Sequence, residues 1–231
     1  MARVHGSKTR VWVDGFKLTA DTTNLDVNAS IDVAEVTVFG DDRKSYIVGQ
    51  EDIKASYQGL FDPAAGTVAA DELNALIGGT CIFTAVYGTT DGRPGWGGTA
   101  NPLSAYAVQS PLAGAVTISA EFQGPLHPMV ALVAEGANSG NGANNDLGSA
   151  GSNNGIIGVL QCEGVTSGGT IKIEHSTTGA FAGEESDLIN FGSIPVSTRT
   201  AVYVEASGTV RRYLRAVHDA AATTVVMFRR L

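Results

Sequence analysis

Apolar and polar residues alternate along three stretches in the first half of the chain, residues 24–32, 53–61 and 116–122. Because successive side chains of a strand point to opposite faces, a period of two predicts one buried and one wet face. We therefore expect half-buried antiparallel strands. The polar positions of these stretches include Asp26, Asn28, Ser30, Lys54, Ser56, Gln58, Thr117, Ser119 and Glu121.

Further apolar runs of strand length continue to the end of the chain. Residues 10–14 predict a strand that enters a turn at Gly15, and residues 80–87 and 103–109 predict two more. In the last third, strands are expected at 156–162, 170–175, 187–191, 201–205, 210–217 and 223–228, at the spacing of a β-sandwich. The pattern predicts an all-β fold.

One stretch has helical character, between residues 69 and 77. Asp71 and Glu72 lie where a first turn would be, and Gly78 follows as a stop signal. Between them an apolar stripe is formed by Leu73, Leu76 and Ile77. The fold class is therefore all-β with one short helix.

A segment rich in Gly, Asn and Ser separates two parts of the chain. Residues 136–155 contain almost no apolar side chain, which predicts a flexible linker or a long exposed loop. We expect an N-terminal domain over 1–133, a linker over 134–154 and a C-terminal β-sandwich over 155–231. The N-terminal domain carries most of the acidity, with 8 Lys and Arg against 14 Asp and Glu.

Composition narrows the classes of function. Charged residues are 16% of the chain against about 25% in a typical soluble domain, which suggests that neighbouring subunits cover much of the surface. The net charge of −8 argues against DNA binding, since phosphates require Lys and Arg. We expect Cys81 and Cys162 to be buried free thiols. No signal peptide and no membrane insertion are expected, and synthesis would take place in a reducing cytoplasm.

Candidate chemistry is sparse. The four histidines have no metal-ligand spacing, and neither a nucleophile elbow nor a nucleotide-binding motif is present. We therefore predict no catalytic residue, no metal or cofactor, and no enzymatic activity. Five arginines near the C-terminus are expected to pair with carboxylates of the same chain: Arg211, Arg212, Arg215, Arg229 and Arg230. A loop over 88–102 with Trp96 is a candidate interaction surface, and a locally packed tryptophan fits the sequence at least as well.

Five stretches of the N-terminal part resemble one protein family. They read RVWVDGFKL at 10–18, DVAEVTVFG at 32–40, RKSYIVG at 43–49, SYQGLFD at 56–62 and AVTISAEFQ at 115–123. In order and spacing they resemble the tail tube (major tail) proteins of long, flexible-tailed bacteriophages, the siphophages. The C-terminal part is similar to the outer β-sandwich that some members carry.

The resemblance implies a structural subunit of the virion tail. Members form hexameric rings that stack into a tube, each subunit giving four strands to a continuous inner barrel. The implied partners are other copies of the chain, the tape-measure protein and other tail proteins, while DNA passes through the lumen without specific binding. On this basis we expect lumen-facing side chains at Asp26, Asn28, Ser30, Ser56, Gln58, Thr117, Ser119 and Glu121. Lys54 departs from their neutral or acidic character, and we expect it to pair with an acidic neighbour.

The resemblance also implies a hairpin that contacts the adjacent ring. It covers residues 33–50, with candidate inter-ring contacts at Asp41, Asp42, Arg43 and Lys44. The N-terminal arm, residues 2–9, is expected to act in the same way.

Two other functions fit the sequence. A capsid decoration or cement protein would also use β-sandwiches and self-contacts. A host-surface carbohydrate-binding protein would need exposed rings that stack on sugars, for which Phe181, Tyr203 and Tyr213 are the candidates, although core packing is the better expectation.

Overall fold

The computed structural model describes residues 6–38, 42–61, 69–148, 151–165 and 168–231. A single 3-10 turn, Gly6–Lys8, precedes the first strand. The helix of the described part is α1 (Ala69–Ala75). The strands are β1 (Thr9–Val13), β2 (Phe16–Lys17), β3 (Thr22–Glu35), β4 (Tyr46–Leu60), β5 (Cys81–Tyr87), β6 (Pro94–Gln109), β7 (Thr117–Gln123), β8 (Leu126–Asn141), β9 (Asn145–Asp146), β10 (Ile156–Val165), β11 (Gly169–Ser176), β12 (Ser186–Ile194), β13 (Thr200–Ala206) and β14 (Tyr213–Arg230). The all-β fold with one short helix is confirmed.

The chain forms two compact units, and their composition differs from the domains expected from the sequence. One unit combines Met1–Asp21, Cys81–Thr99 and His127–Leu231, and the other combines Thr22–Thr80 and Ala100–Leu126. We call them the large unit and the small unit. The first strands of the chain thus belong to the same unit as its last strands, although more than a hundred residues separate them in sequence.

Strand β10 is the centre of the large unit. It pairs with β13 on one side and with β14 on the other, and both of its faces are buried. Ile156, Leu160 and Cys162 belong to one apolar cluster, whereas Ile157 and Val159 belong to a second. A strand covered on both faces reads as a continuous apolar run, as residues 156–160 do.

The second apolar cluster explains why the N-terminal strands join the large unit. Trp12 of β1 and Val86 of β5 lie in it together with Val159 of β10 and Met227 of β14. Gln161 adds polar contacts, because its side chain accepts a hydrogen bond from the Gly15 N–H at 2.6 Å and donates one to the Ile82 carbonyl at 2.8 Å. Both contacts are buried or partly buried, so they fix the N-terminal turn against β10.

Part of the predicted linker lies in strands. Residues 134–141 continue β8, and residues 145–146 form β9. Both strands pair with β14, for example Thr224 with Gly136 and Leu214 with Asn145. Backbone groups alone satisfy such pairing, so a segment without apolar side chains can join a sheet when a long partner strand is available.

Two other expectations differ from the structure. The predicted loop at 88–102 is shorter, because β6 begins at Pro94 and Trp96 is a half-buried strand residue. The two predicted strands at 210–217 and 223–228 are one strand, β14, whose pairing register shifts between His218 and Ala222. Cys81 and Cys162 are buried free thiols, as expected.

The small unit contains a four-stranded antiparallel sheet in the order β3-β4-β7-β6. One face of this sheet is apolar. Its central residues are fully or nearly fully buried: Ile53, Ala55, Tyr57, Ile118, Ala120 and Phe122. Leu73 of α1 is fully buried as well, whereas Ile77, just after the helix, is exposed.

Two buried histidines make the stability of the large unit dependent on pH. Burial lowers the pKa of His218, which lies 2.9 Å from the Thr224 hydroxyl, and burial also lowers the pKa of His175, next to Ser186 and Arg211. An imidazole with a lowered native pKa takes up a proton on unfolding. The contribution of these histidines to the free energy of unfolding is therefore fully present above the ordinary pKa of about 6.5. It falls as the pH drops below that value.

We expect urea titrations to give a lower free energy of unfolding at pH 5.5 than at pH 7.5. The His218→Val variant should lose less stability over that interval than the wild type does, whatever its stability at pH 7.5. An unchanged pH slope in this variant would assign the dependence to other groups.

Candidate functional site

The eight residues predicted to face a lumen lie on one face of the small unit's sheet. Directly paired residues of neighbouring strands share a face, and the register places Asp26 opposite Ser56 and Ser56 opposite Glu121. The next row contains Gln58 and Ser119. The same alternation places Asn28, Ser30 and Thr117 on this face, which we call the polar face.

Lys54 is neutralised on the polar face, as the sequence predicted. Its Nζ lies 2.7 Å from a carboxylate oxygen of Glu121. A second carboxylate, Asp52, accepts hydrogen bonds from Nε2 of Gln123 at 2.9 Å to each oxygen. Asp26 lies on the same face. The described polar face thus has three carboxylates and one ammonium group, and its net charge is negative.

One large apolar side chain, that of Leu60, interrupts the polar face, to which β6 also contributes the small Ala105 and Ala107. Leu60 pairs with Thr117, which pairs with Gln109 in turn, and its side chain is exposed. It is the last residue of β4. Sequence reasoning missed it because the alternation in residues 53–61 was assigned from its apolar members alone.

Strands β3 and β4 extend beyond the rest of the sheet as a two-stranded ribbon. The pairing of β4 with β7 ends at Lys54, whereas the pairing of β3 with β4 continues to Glu35 and Tyr46. A hydrogen bond from the Val36 N–H to the Ser45 carbonyl, 2.9 Å long, extends it further. We call residues 31–38 and 42–51 the ribbon. It corresponds to the hairpin implied at 33–50.

The ribbon exposes apolar side chains on both faces. Val33 pairs with Val48 on one face and Ala34 pairs with Ile47 on the other. The exposed fractions of Val33, Ile47 and Val48 are 62%, 59% and 66%. The exposed large apolar residues of the ribbon are Ile31, Val33, Val36, Val38, Tyr46, Ile47 and Val48. An isolated two-stranded hairpin is marginally stable in water, and large exposed apolar patches mark interaction sites.

The four charged residues expected to make inter-ring contacts have different surroundings. Lys44 lies 2.9 Å from the Glu35 carboxylate within the ribbon itself, and Glu35 also accepts a hydrogen bond from Thr37. Asp42 and Arg43 are exposed in the turn, and Asp41 lies outside the described residues. In the N-terminal arm, residues 2–5 also lie outside them, and Gly6–Lys8 is exposed.

The outer edge of β3 has no strand partner among the described residues, where β3 pairs with β4 alone. An edge strand presents backbone N–H and C=O groups that another chain can pair with. The edge strand is 14 residues long, so it offers an unusually long template for such pairing.

The arginines near the C-terminus are largely engaged within the large unit. Arg212 forms a bidentate pair with Asp146, at 2.7 and 2.8 Å, and this hydrogen bonding lowers the pKa of Asp146 to about 2. Arg215 binds Glu174 at 2.7 Å, and Arg229 contacts a ring nitrogen of His127 at 3.1 Å. The prediction of internal carboxylate pairing is confirmed for Arg212 and Arg215.

The three aromatic residues considered for sugar stacking all have rings in contact with other side chains. Phe181 is buried beneath the Arg215 guanidinium, and Arg212 lies 5.0 Å from the ring centre of Tyr213. Tyr203 packs against the apolar cluster of Trp12. Stacking on a sugar requires a free ring face, so these contacts do not favour a carbohydrate-binding function for the three residues.

A cleft of about 480 Å³ in the large unit has its polar groups bonded to the protein itself. Its lining includes Gly151, Thr177, Thr209, Arg211 and Arg212. The hydroxyl of Thr209 donates to Asn153, the hydroxyl of Thr177 donates to Glu184, and Arg211 donates to the Glu184 carbonyl.

The described ranges contain no group of three or more His, Cys, Asp or Glu side chains that could hold a metal ion. Among the same residues, no helix has the length and apolar character needed to cross a membrane.

No protein-family model matches the chain, and no curated protein matches its sequence. Among solved structures, the chain is similar to a component of the virion of a native gene transfer agent particle, with 13% identity and a TM-score of 0.43 over 55% of this chain and 98% of that one. A component of the C6-symmetric tail of an empty particle of this kind matches with 12% identity, a TM-score of 0.43 and the same coverage. The SPP1 Dit protein, described as a paradigm of the hub adsorption apparatus in phages that infect Gram-positive bacteria, matches with 11% identity and a TM-score of 0.37 over 96% of this chain and 98% of that one.

Proposed function

We propose that this protein is the structural subunit of a phage tail tube, a non-catalytic virion component that stacks as hexameric rings around a channel for DNA. The observation that carries the proposal is the ribbon, which exposes apolar side chains on both faces beyond a sheet with an open edge. Such a surface needs a partner, and repeated self-association supplies one at every subunit.

Apolar burial gives the scale of the driving force. Full burial of a Val or Ile side chain stabilises by about 1.5–3 kcal/mol, so a half-exposed one has roughly 1 kcal/mol to gain. The ribbon has six such residues and, in addition, the exposed Tyr46. Covering them would contribute several kcal/mol per contact, before the cost of association is subtracted.

The sheet of the small unit suits a ring. Its four strands match the number per subunit that the resemblance implies. A barrel of about 24 strands, spaced ~4.8 Å apart and tilted about 40°, has a backbone diameter of roughly 45–50 Å. Side chains reduce the bore to roughly 35–40 Å, which is wide enough for a DNA duplex. In this arrangement the open edge of β3 pairs with a neighbouring subunit.

The polar face would line the bore. Its side chains are short, neutral or acidic, and its only described ammonium group, on Lys54, is paired with Glu121. A negatively charged wall repels phosphates, so that DNA moves without binding. The neighbours in the tube are other copies of the chain, and the tape-measure protein and other tail proteins would complete the tail.

Electron microscopy of the purified full-length protein tests the proposal. We expect hollow tubes with six-fold rings at high protein concentration. In particles that contain the protein, a label directed at it should mark the length of the tail. A stable monomer at high concentration, together with particles whose tails lack the protein, would reject it. Trimers on a capsid surface would favour a decoration protein instead.

Added positive charge on the polar face should make the tube bind DNA. We expect tubes of the Ser56→Lys, Ser119→Lys double variant to co-sediment with a short fluorescent duplex at low salt, and to release it as salt rises, because released counterions drive such binding. Ser193→Lys with Val196→Lys adds the same charge at exposed positions of the large unit and is the control. Equal DNA retention by both double variants would show that the polar face does not line the bore.

A further inference from the structure

The cleft of about 480 Å³ in the large unit is lined by residues from three separate segments of the chain. Gly151 precedes β10, Thr177 follows β11, and Thr209, Arg211 and Arg212 lie between β13 and β14. We call it the arginine cleft. Small-molecule sites in proteins have volumes of about 300–1,000 Å³, so the arginine cleft has room for a ligand of that kind.

The wall of the arginine cleft at residues 177–184 is fixed by contacts with the rest of the large unit. Phe181 is buried beneath the Arg215 guanidinium, which lies 4.3 Å from its ring centre. Its φ of 48° is a left-handed conformation that is unfavourable for a non-glycine residue. The Asn144 side chain donates a hydrogen bond to the Gly179 carbonyl. Strained backbone of this kind is frequent at ligand-binding sites, and a preformed wall loses little entropy when a ligand binds.

Arg211 is the lining cation whose charge has no carboxylate partner. Its guanidinium donates to the Glu184 backbone carbonyl, and it forms no ion pair with any residue that the structure describes. Arg212 differs, because both carboxylate oxygens of Asp146 bind it. A guanidinium has several N–H donors, so most of those on Arg211 remain for another acceptor. The arginine cleft therefore presents a half-buried cation that can bind an anion.

The two threonine hydroxyls of the arginine cleft present hydrogen-bond acceptors. Thr177 donates its proton to the Glu184 carboxylate, and Thr209 donates its proton to the side-chain oxygen of Asn153 at 2.9 Å. A carboxylate and an amide oxygen can only accept, so the direction of both bonds is fixed. The threonine oxygens keep their own lone pairs, which suit a ligand that brings hydroxyl protons.

We propose that the arginine cleft binds a hydroxylated anion, a sugar or polyol unit that bears a phosphate or a carboxylate. Arg211 binds the anionic group, while hydroxyl groups of the ligand donate to Thr177 and Thr209. Bonds between a guanidinium and an anion are about twice as strong as neutral hydrogen bonds, so Arg211 supplies most of the affinity. The Glu184 carboxylate, which accepts from Thr177, opposes the anion and weakens the binding. This site goes beyond the proposed tube function and does not depend on assembly.

Calorimetric titration of the dilute full-length protein tests the proposal with four probes. Glucose 6-phosphate and glucuronate carry both an anionic group and hydroxyls, glucose lacks the charge, and sulfate lacks the hydroxyls. We expect at least one anionic sugar to bind more tightly than glucose and sulfate do, and the one that binds identifies the anionic group. Arg211→Gln should weaken this binding at least about tenfold. Arg93→Gln removes the same charge elsewhere in the large unit and should leave the affinity unchanged.

Two further variants separate the charge from the hydroxyl contacts. Thr209→Val keeps the shape of the side chain and should weaken the binding of the anionic sugar but not that of sulfate. Glu184→Gln removes the opposing charge, keeps an acceptor for the Thr177 hydroxyl and should tighten the binding. Urea unfolding of each variant shows that it is folded.

Three results would overturn the proposal. The wild-type protein could bind neither anionic sugar, sulfate could bind as tightly as the sugars do, or Arg93→Gln could weaken the binding as much as Arg211→Gln does. None of these results bears on the tube, since hollow tubes in electron micrographs would still support the proposed function.

Discussion

Replacing Val33, Ile47 and Val48 by threonine should raise the concentration needed for assembly by roughly a hundredfold. The three side chains are exposed in the ribbon, and each has about 1 kcal/mol of burial to gain from a partner. Losing about 3 kcal/mol per contact corresponds to roughly a factor of a hundred in the equilibrium constant. Threonine keeps the β-branched shape, so the strands themselves should persist.

The free energy of unfolding of the dilute, unassembled protein should be the same in this triple variant as in the wild type. Exposed substitutions usually alter the free energy of unfolding by less than about 0.5 kcal/mol. Sedimentation of a concentration series gives the assembly threshold, and urea unfolding of the dilute protein gives the stability. Val196→Thr, an exposed apolar position in the large unit, is the matched control and should assemble as the wild type does. A triple variant with the wild-type threshold would show that the ribbon is not an assembly contact.

Gly15→Ala should destabilise the large unit by at least about 3 kcal/mol. Gly15 has a φ of 78°, a left-handed conformation that costs an alanine about 1 kcal/mol or more. A Cβ there would also lie 2.7 Å from the Thr200 nitrogen and 2.8 Å from the Cys162 carbonyl oxygen. Both are backbone atoms of paired strands, so relief requires β10 and β13 to move.

The Gly148→Ala variant separates the cost of the left-handed conformation from the cost of the steric clash. Gly148 has a similar φ of 72°, and nothing lies within 4 Å of the position of its Cβ. It should therefore show the conformational cost alone, about 1 kcal/mol. Thermal unfolding should show a drop in the midpoint of roughly 6–12 °C for Gly15→Ala and a few degrees for Gly148→Ala. Equal effects would mean that the N-terminal turn does not pack against β10.

The same turn shows how far local sequence signals reach. Asp-Gly between two apolar runs predicts a tight turn, and both residues have the positive φ that a two-residue hairpin of this kind needs. The packing partner of the turn could not be predicted, because Gln161 and Cys162 are about 146 residues away in sequence. No local pattern encodes a contact of that separation.

The candidate site divides in the same way. Alternation along residues 24–32, 53–61 and 116–122 assigned the polar face correctly, since a period of two fixes which side chains share a face whatever the partner strand is. The identity of the residue that pairs with Lys54 could be found only from the strand register, because Glu121 is diagonal to Lys54 across β4 and β7. The exposure of the ribbon required the structure too, since five of the residues 31–38 are apolar and the sequence does not show that their strands leave the sheet.

By itself, the amino-acid sequence determined the all-β class, the short helix, the polar face and the buried thiols, because each depends on the spacing of residues within a single element. Only the tertiary structure decided which strands form each unit, that residues 134–141 continue a strand, and that the ribbon extends beyond its sheet. Those features depend on which distant backbone offers hydrogen-bond partners and apolar contacts. That choice is made by the packing of the whole chain and leaves no periodic trace in the sequence.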